Sequence, residues 1–201
     1  MRYYHDAGFD GLFVNGTLAE GMSLSSEERM KTAEKWMRLA EGLPVILHIG
    51  TGNLKETQDL ARHAESLGVD GISALPPTYH KPPSEELLAD YLAEVAAAAP
   101  NTPFLYYEYD VASGLFLPSL SLGIPDCITS AYMGQFFRDV KYSVAKGGDI
   151  TSAKAMFELI SGVKVGGPRL PLPTMESRDM QLMKADLVAG GFIKESTVKG
   201  M

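Results

Sequence analysis

The chain predicts an α/β fold assembled from consecutive βα units around a parallel sheet. Three observations carry this expectation. Strand-like runs begin at Gly11 (GLFVNG), Pro44 (PVILHIG), Gly71 (GISALPP) and Pro103 (PFLYYEYD), with enough chain between successive runs for one helix. The segment Ala7-Gly8-Phe9-Asp10-Gly11-Leu12 recurs as Leu67-Gly68-Val69-Asp70-Gly71-Ile72, so the unit repeats in residues as well as in length. The runs are continuous stretches of Val, Ile, Leu and Phe rather than alternations, the pattern of parallel strands covered on both faces. An open doubly wound sheet and a closed barrel both satisfy these observations. No Gly-x-Gly-x-x-Gly follows the first strand, which lowers a dinucleotide-binding reading.

Taken in order, each element has its own signals. Gly8 and Gly68 stand where a helix ends in a left-handed residue, and a strand starts three residues later. Ser25 with Glu28, and Asn53 with Glu56, read as capping boxes or close relatives that start helices. Leu60, Ala61, Ala64 and Leu67 recur at helical spacing and give one apolar face. A third helix starts after Ser84, behind Pro82 and Pro83, and stops before Pro100. After Gly114 the rhythm breaks into a Leu, Ser and Pro-rich loop, a short apolar run at Cys127-Ile128-Thr129, and helix-like pieces near 135 to 146 and 151 to 161. Pro168, Pro171 and Pro173 then form an extended connector to a last helix near 177 to 188.

Composition excludes several function classes. With 201 residues and a net charge of −7, the chain has length for one domain and no clustered basic stripe, which counts against nucleic acid as a partner. Its longest apolar stretches are strand-sized, far short of the roughly 20 residues of a membrane span, and the Met1 end is polar rather than signal-like. A soluble, cytoplasmic protein is expected. The single cysteine, Cys127, fits a reducing compartment and reads as a small buried apolar residue. His5, His48, His63 and His80 have no metal-ligand spacing with one another or with Cys127, so neither a metal nor another cofactor is expected.

The first strand runs into Val14-Asn15-Gly16-Thr17-Leu18-Ala19-Glu20-Gly21. A glycine and a threonine at a strand's C-terminal end can offer backbone N–H groups and a hydroxyl to a carboxylate; alone, the pair is equally a turn with a surface threonine. In combination the stretch resembles the Gly-Thr-Thr-Gly-Glu segment of the N-acetylneuraminate lyase and dihydrodipicolinate synthase superfamily. Val14, Asn15, Ser23, Glu28 and Arg29 resemble the sialic-acid branch. The resemblance continues through PVILHIG, LKETQDLARHAESLGVDGI, Pro76-Pro77 and LAEVAAAAPNTPFLYY, and returns at Ser161-Gly162 and Gly167-Pro168-Arg169-Leu170-Pro171-Leu172. It covers about residues 1 to 115 and 128 to 175.

That resemblance implies a (β/α) TIM-barrel type of fold, incomplete here, with about five of eight strands recognisable and C-terminal helices. It implies one partial barrel domain over 1–201, with consecutive βα units in 1–115, an irregular junction in 116–127, and the last strand and C-terminal helical segment in 128–201. Its chemistry is the reversible, metal-free cleavage of N-acetylneuraminate to pyruvate and N-acetylmannosamine. A lysine amine forms an iminium with the ketone, and a tyrosine held by a threonine relays the proton. Carried across, Thr17 and Tyr107 match that threonine and tyrosine, and Gly16, Thr17, Leu18 and Thr129 are the expected substrate-binding residues. Glu20 is expected to be structural, holding backbone N–H groups.

Departures from the family pattern accompany the match. Leu18 replaces a second hydroxyl residue, Ala19 a turn glycine, and Asp110 a proline. The first, sixth and seventh strands are not recognised, a pattern like skipped exons or an incomplete gene model. The best candidate for the Schiff-base lysine is Lys141, in Asp139-Val140-Lys141-Tyr142-Ser143, although Tyr132-Met133-Gly134 and Gly148-Asp149-Ile150 resemble the helix after the family's last strand. The expected partners are sialic acid and pyruvate, with a homo-oligomer (a tetramer in the family) or association with full-length subunits. A catalytically dead short form, and another 2-keto acid aldolase or dihydrodipicolinate-type synthase, are the alternatives.

Overall fold

A computed structural model describes residues 9–108, 127–129, 148–190 and 193, with 108, 127–129, 148 and 149 described by backbone alone. Among them, five parallel strands pair in chain order: β1 (Leu12–Val14), β2 (Val45–His48), β3 (Gly71–Ala74), β4 (Phe104–Glu108) and β5 (Cys127–Thr129). Helices α1 (Ser26–Leu39), α2 (Leu54–Leu67) and α3 (Glu85–Ala96) connect the first four. This is the βα rhythm expected from the sequence.

The helix starts follow from their caps. Ser25 accepts from the Glu28 amide while the Glu28 carboxylate accepts from the Ser25 amide, a reciprocal capping box. Asn53 and Ser84 each accept from the amide three residues on. The repeated sequence has an equally local cause. Gly68, at φ 70°, ends α2, and two residues later the Asp70 carboxylate accepts from the Val45 amide at 2.8 Å, tying the start of β3 to that of β2.

Register assigns the two faces of the sheet. Leu12 pairs with Val45 and Val14 with Leu47, Leu47 pairs with Ile72, and Ile72 and Ala74 pair with Phe104 and Tyr106. These residues face the helices, where Ala33, Leu60, Ala61, Ala64 and Val95 complete the core. Burying each leucine or isoleucine there contributes about 1.5–3 kcal/mol. The opposite face carries Phe13, His48, Ser73 and Tyr107. Phe13 of β1 and Tyr107 of β4 have ring centroids 5.2 Å apart, although three strand spacings separate their backbones, roughly 14 Å in a flat sheet. The sheet is therefore strongly curled, and this second face is concave, as in an incomplete barrel.

The chain divides into two compact units, Met1–Ala131 and Tyr132–Met201. In the second, α4 (Gly148–Ser161) packs on α5 (Ser177–Ala189) through Ala155, Met156, Leu159, Met183 and Leu187. Its connector is fastened to α4. Thr151 Oγ1 donates to the Pro173 carbonyl at 2.8 Å, and Glu158 Oε1 accepts from the Val165 and Gly166 amides at 2.7 Å each. Both helices match the expected segments near 151 to 161 and 177 to 188, the first starting three residues earlier; the piece near 135 to 146 lies outside the described residues. Among the described residues, no helix is long and apolar enough to cross a membrane.

Candidate active site

The concave face carries polar chemistry at the C-terminal ends of its strands. Beyond β1 the backbone turns sharply: Asn15 takes a left-handed φ of 60°, Glu20 does the same at 55°, and the turn closes through Glu20 N to Thr17 O at 2.9 Å and Gly21 N to Gly16 O at 3.1 Å. Gly21 is required here, because a Cβ at that position would stand 1.8 Å from the Asn15 carbonyl oxygen. Glu20 is buried. The backbone of Thr17 is turned toward the Tyr107 phenol, and the amide of Leu18 donates to no acceptor among the described residues. The Leu18 side chain has no donor to add.

From that turn Thr17 reaches across the curled sheet, and its Oγ1 lies 2.8 Å from the Tyr107 hydroxyl on β4; either oxygen can donate. Burial pushes the Tyr107 phenol above its ordinary pKa, and the hydrogen bonding of Thr17 opposes that shift. The Tyr107 ring is held edge-on by two neighbours, Phe13 at 5.2 Å and His48 at 5.3 Å.

His48 is buried at the end of β2, with 1% of its surface exposed. Its Nδ1 lies 3.0 Å from the Ser73 carbonyl, which can only accept, so Nδ1 carries the proton and Nε2 keeps a lone pair. That Nε2 is buried with no partner among the described residues. Burial, and then the charge of Arg29, lower the His48 pKa to about 3, so the ring is neutral in ordinary solution. Arg29 comes from α1, 2% exposed, and donates from Nη2 to the His48 carbonyl at 2.7 Å and from Nη1 to the Gly50 carbonyl at 2.8 Å. Burial lowers its pKa to about 10, against the opposing pull of Glu56, which leaves it charged at neutral pH.

Of the residues expected from sequence, Gly16, Thr17, Leu18 and Tyr107 therefore meet at one rim. Thr129 lies on β5 opposite Glu108, beside the Tyr107–Ile128 pair. Lys141 and Asp110 lie outside the described residues. The lysines described in the first unit, Lys31, Lys35, Lys55 and Lys81, are all exposed. Among the described residues no group of three or more His, Cys, Asp or Glu side chains could hold a metal ion.

Sequence reasoning singled out neither His48 nor Arg29 for this site. His48 had a signal, a polar residue inside the apolar run PVILHIG. Arg29 had only its likeness to the sialic-acid branch, because Glu27-Glu28-Arg29 otherwise reads as a solvated helix face.

Comparison with known proteins gives this geometry a context. The family model described as the dihydrodipicolinate synthetase family matches residues 1–123. N-acetylneuraminate lyase of Rattus norvegicus is 42% identical over 138 residues, covering 67% of this chain and 43% of the relative. N-acetylneuraminate lyase A of Xenopus laevis is 49% identical over 106 residues, covering 52% and 35%. The chain thus spans less than half the length of these relatives. Among solved structures, Proteus mirabilis N-acetylneuraminate lyase superposes with a TM-score of 0.78 at 22% identity, covering 96% of this chain and 90% of that one, which shows the fold alone. Ruminococcus gnavus sialic acid aldolase has a TM-score of 0.71 at 26% identity, covering 100% and 90%.

Proposed function

Since the chain belongs to the dihydrodipicolinate synthetase family, we propose that its concave face is the half-site of an N-acetylneuraminate lyase, carrying the proton relay and the carboxylate turn of a Schiff-base aldolase. One observation carries the reading: Thr17 and Tyr107, 90 residues apart in sequence, come within 2.8 Å of each other at the rim of a curled parallel sheet. In that reaction an amine condenses with the ketone of the sugar acid and releases water. The iminium withdraws electrons as the C–C bond breaks, and the pyruvate enamine is then reprotonated and hydrolysed. Tyr107 moves the proton and Thr17 orients its hydroxyl. The Leu18 amide, which donates to no acceptor among the described residues, takes the substrate carboxylate beside Thr17, and Thr129 completes the rim.

The amine must be a lysine, and Lys141 is the candidate in this chain. Borohydride reduction in the presence of pyruvate tests it. An active lyase gains the mass of one reduced pyruvate adduct on one lysine; no mass gain refutes activity of this chain by itself.

A second reading has its own support. A Schiff-base lysine needs a desolvated amine of lowered pKa, whereas the described lysines of the first unit are exposed. In this reading the chain is an inert short form that joins full-length subunits in a homo-oligomer, a tetramer in the lyase branch. Sedimentation of the chain mixed with full-length enzyme should then show a mixed species, and its absence refutes the association. Both readings place the protein in the cytoplasm, supported by the lone cysteine and the want of any long apolar stretch.

A further inference from the structure

Arg29 is a buried cation whose guanidinium meets no carboxylate at salt-bridge distance among the described residues. Its head instead donates to two backbone carbonyls at and just past the end of β2, His48 O at 2.7 Å and Gly50 O at 2.8 Å. From the other direction Asn15, in the turn after β1, donates from Nδ2 to the Arg29 carbonyl at 3.2 Å. Burying a charge without a counter-ion in contact is costly, and an apolar side chain of similar volume fills such a place without that cost. Packing alone therefore gives no reason for an arginine. The planar fork does what no apolar side chain can, holding two carbonyls at once.

These contacts join the two strand ends that build the site. The Asn15 end leads, two residues on, to Thr17; the His48 end carries the imidazole that packs edge-on against Tyr107 at 5.3 Å. We propose that Arg29 is a positioning residue: it ties the Asn15–Thr17 turn to the end of β2 and so holds Thr17 Oγ1 within hydrogen-bond reach of the Tyr107 hydroxyl. Its meaning for catalysis rests on the reading of that pair as the proton relay. The tie itself does not.

The test reads the phenol directly in the full chain, with no turnover required. Tyrosine labelled with carbon-13 at Cζ gives nine signals, and Tyr107→Phe assigns the relevant one. Thr17→Val defines the titration of a Tyr107 that has lost its side-chain partner, and it moves upward because the hydroxyl bond from Thr17 opposes the effect of burial. Arg29→Lys keeps the charge but lacks the fork. Asn15→Gly keeps the left-handed backbone but cuts the turn away from the Arg29 carbonyl. Each should move the Tyr107 titration toward that of Thr17→Val, and adding Thr17→Val to either should change little more. Wild-type titration in both variants, with Thr17→Val shifted, overturns the proposal. If Arg29→Lys does not fold, an unshifted Asn15→Gly overturns it alone. Borohydride trapping stays independent: a trapped lysine with an unshifted Tyr107 sinks the positioning role and leaves the aldolase reading, and the converse result does the opposite.

Discussion

Replacing Gly21 with alanine should damage both stability and the candidate site, and the size of the effect follows from one distance. A Cβ at Gly21 would stand 1.8 Å from the Asn15 carbonyl oxygen and 2.7 Å from its carbonyl carbon. Ordinary carbon–oxygen contacts lie near 3.3–3.6 Å, so the backbone at Asn15 must retreat by roughly 1.5 Å. No flexible side chain can absorb that movement, because the obstructing atoms belong to the main chain. The retreat disrupts the Gly21 N to Gly16 O bond and the Asn15 Nδ2 to Arg29 O bond. Overpacking of this kind costs about 1–3 kcal/mol, and a lost buried hydrogen bond about 1 kcal/mol more. A loss of about 2–4 kcal/mol is expected in urea denaturation, together with a Tyr107 phenol that titrates as if Thr17 were absent. If the chain supports pyruvate trapping, a misplacement of about 1 Å should slow it by on the order of a hundredfold. A Gly21→Ala protein with wild-type denaturation midpoint and wild-type Tyr107 titration would refute this account of the turn.

Three further outcomes follow from the same geometry. Thr17→Val and Tyr107→Phe should each destabilise the chain, and the double variant should be less destabilised than the two effects combined by about 1 kcal/mol, the coupling of one shared hydrogen bond; additive effects would mean that the bond does not form. His48 sets a pH dependence. Its folded pKa of about 3 lies below the ordinary 6.5, through burial first and the Arg29 charge second, so the unfolded chain binds the proton sooner on acidification. The contribution to stability is whole above about pH 6.5 and falls by up to ~1.4 kcal/mol per pH unit until about pH 3; His48→Gln should flatten this part of the profile in denaturant titrations, and an unchanged slope would contradict it. Gly68→Ala meets no atom within 4 Å but keeps a φ of 70°, so it should cost about 1 kcal/mol by conformation alone; a neutral effect in thermal unfolding would place the α2 terminus elsewhere.

How far the sequence announces this molecule depends on whether a feature is local. Helix starts at Ser25, Asn53 and Ser84 are readable because a cap is a bond between residues three apart. The Gly68 terminus is readable because one residue type tolerates its backbone. The Thr17–Tyr107 contact spans 90 residues, and no periodicity encodes such a pairing; only likeness to a family suggested it. Arg29 is the harder case. On a helix, charge type reports solvent exposure only when no distant backbone offers a partner, and its partners, His48 O and Gly50 O, lie about twenty residues downstream. The curl of the sheet was equally hidden, since continuous apolar strands suit an open sheet as well as a barrel. The 5.2 Å contact between Phe13 and Tyr107 decides that question by geometry.

The relay and the amine are separable parts of the proposed chemistry, and this governs what an intact relay can mean. Thr17 and Tyr107 are placed by β1, β4 and the ties through Asn15, Arg29 and His48, all within residues 9–108. Among the described residues no lysine takes part in placing them. A chain that lost its nucleophile would therefore keep the phenol and the hydroxyl at the same 2.8 Å, so a normal Tyr107 titration is evidence of folding and none of turnover. Conversely, a nucleophile restored from another subunit would find the relay already assembled. Mixing the chain with a full-length subunit whose relay tyrosine has been removed separates these cases. Pyruvate trapping in the mixture, where neither component traps alone, would show the two halves acting together. No trapping, in a mixture that sedimentation shows to be assembled, would mean that this rim does not face the partner's amine.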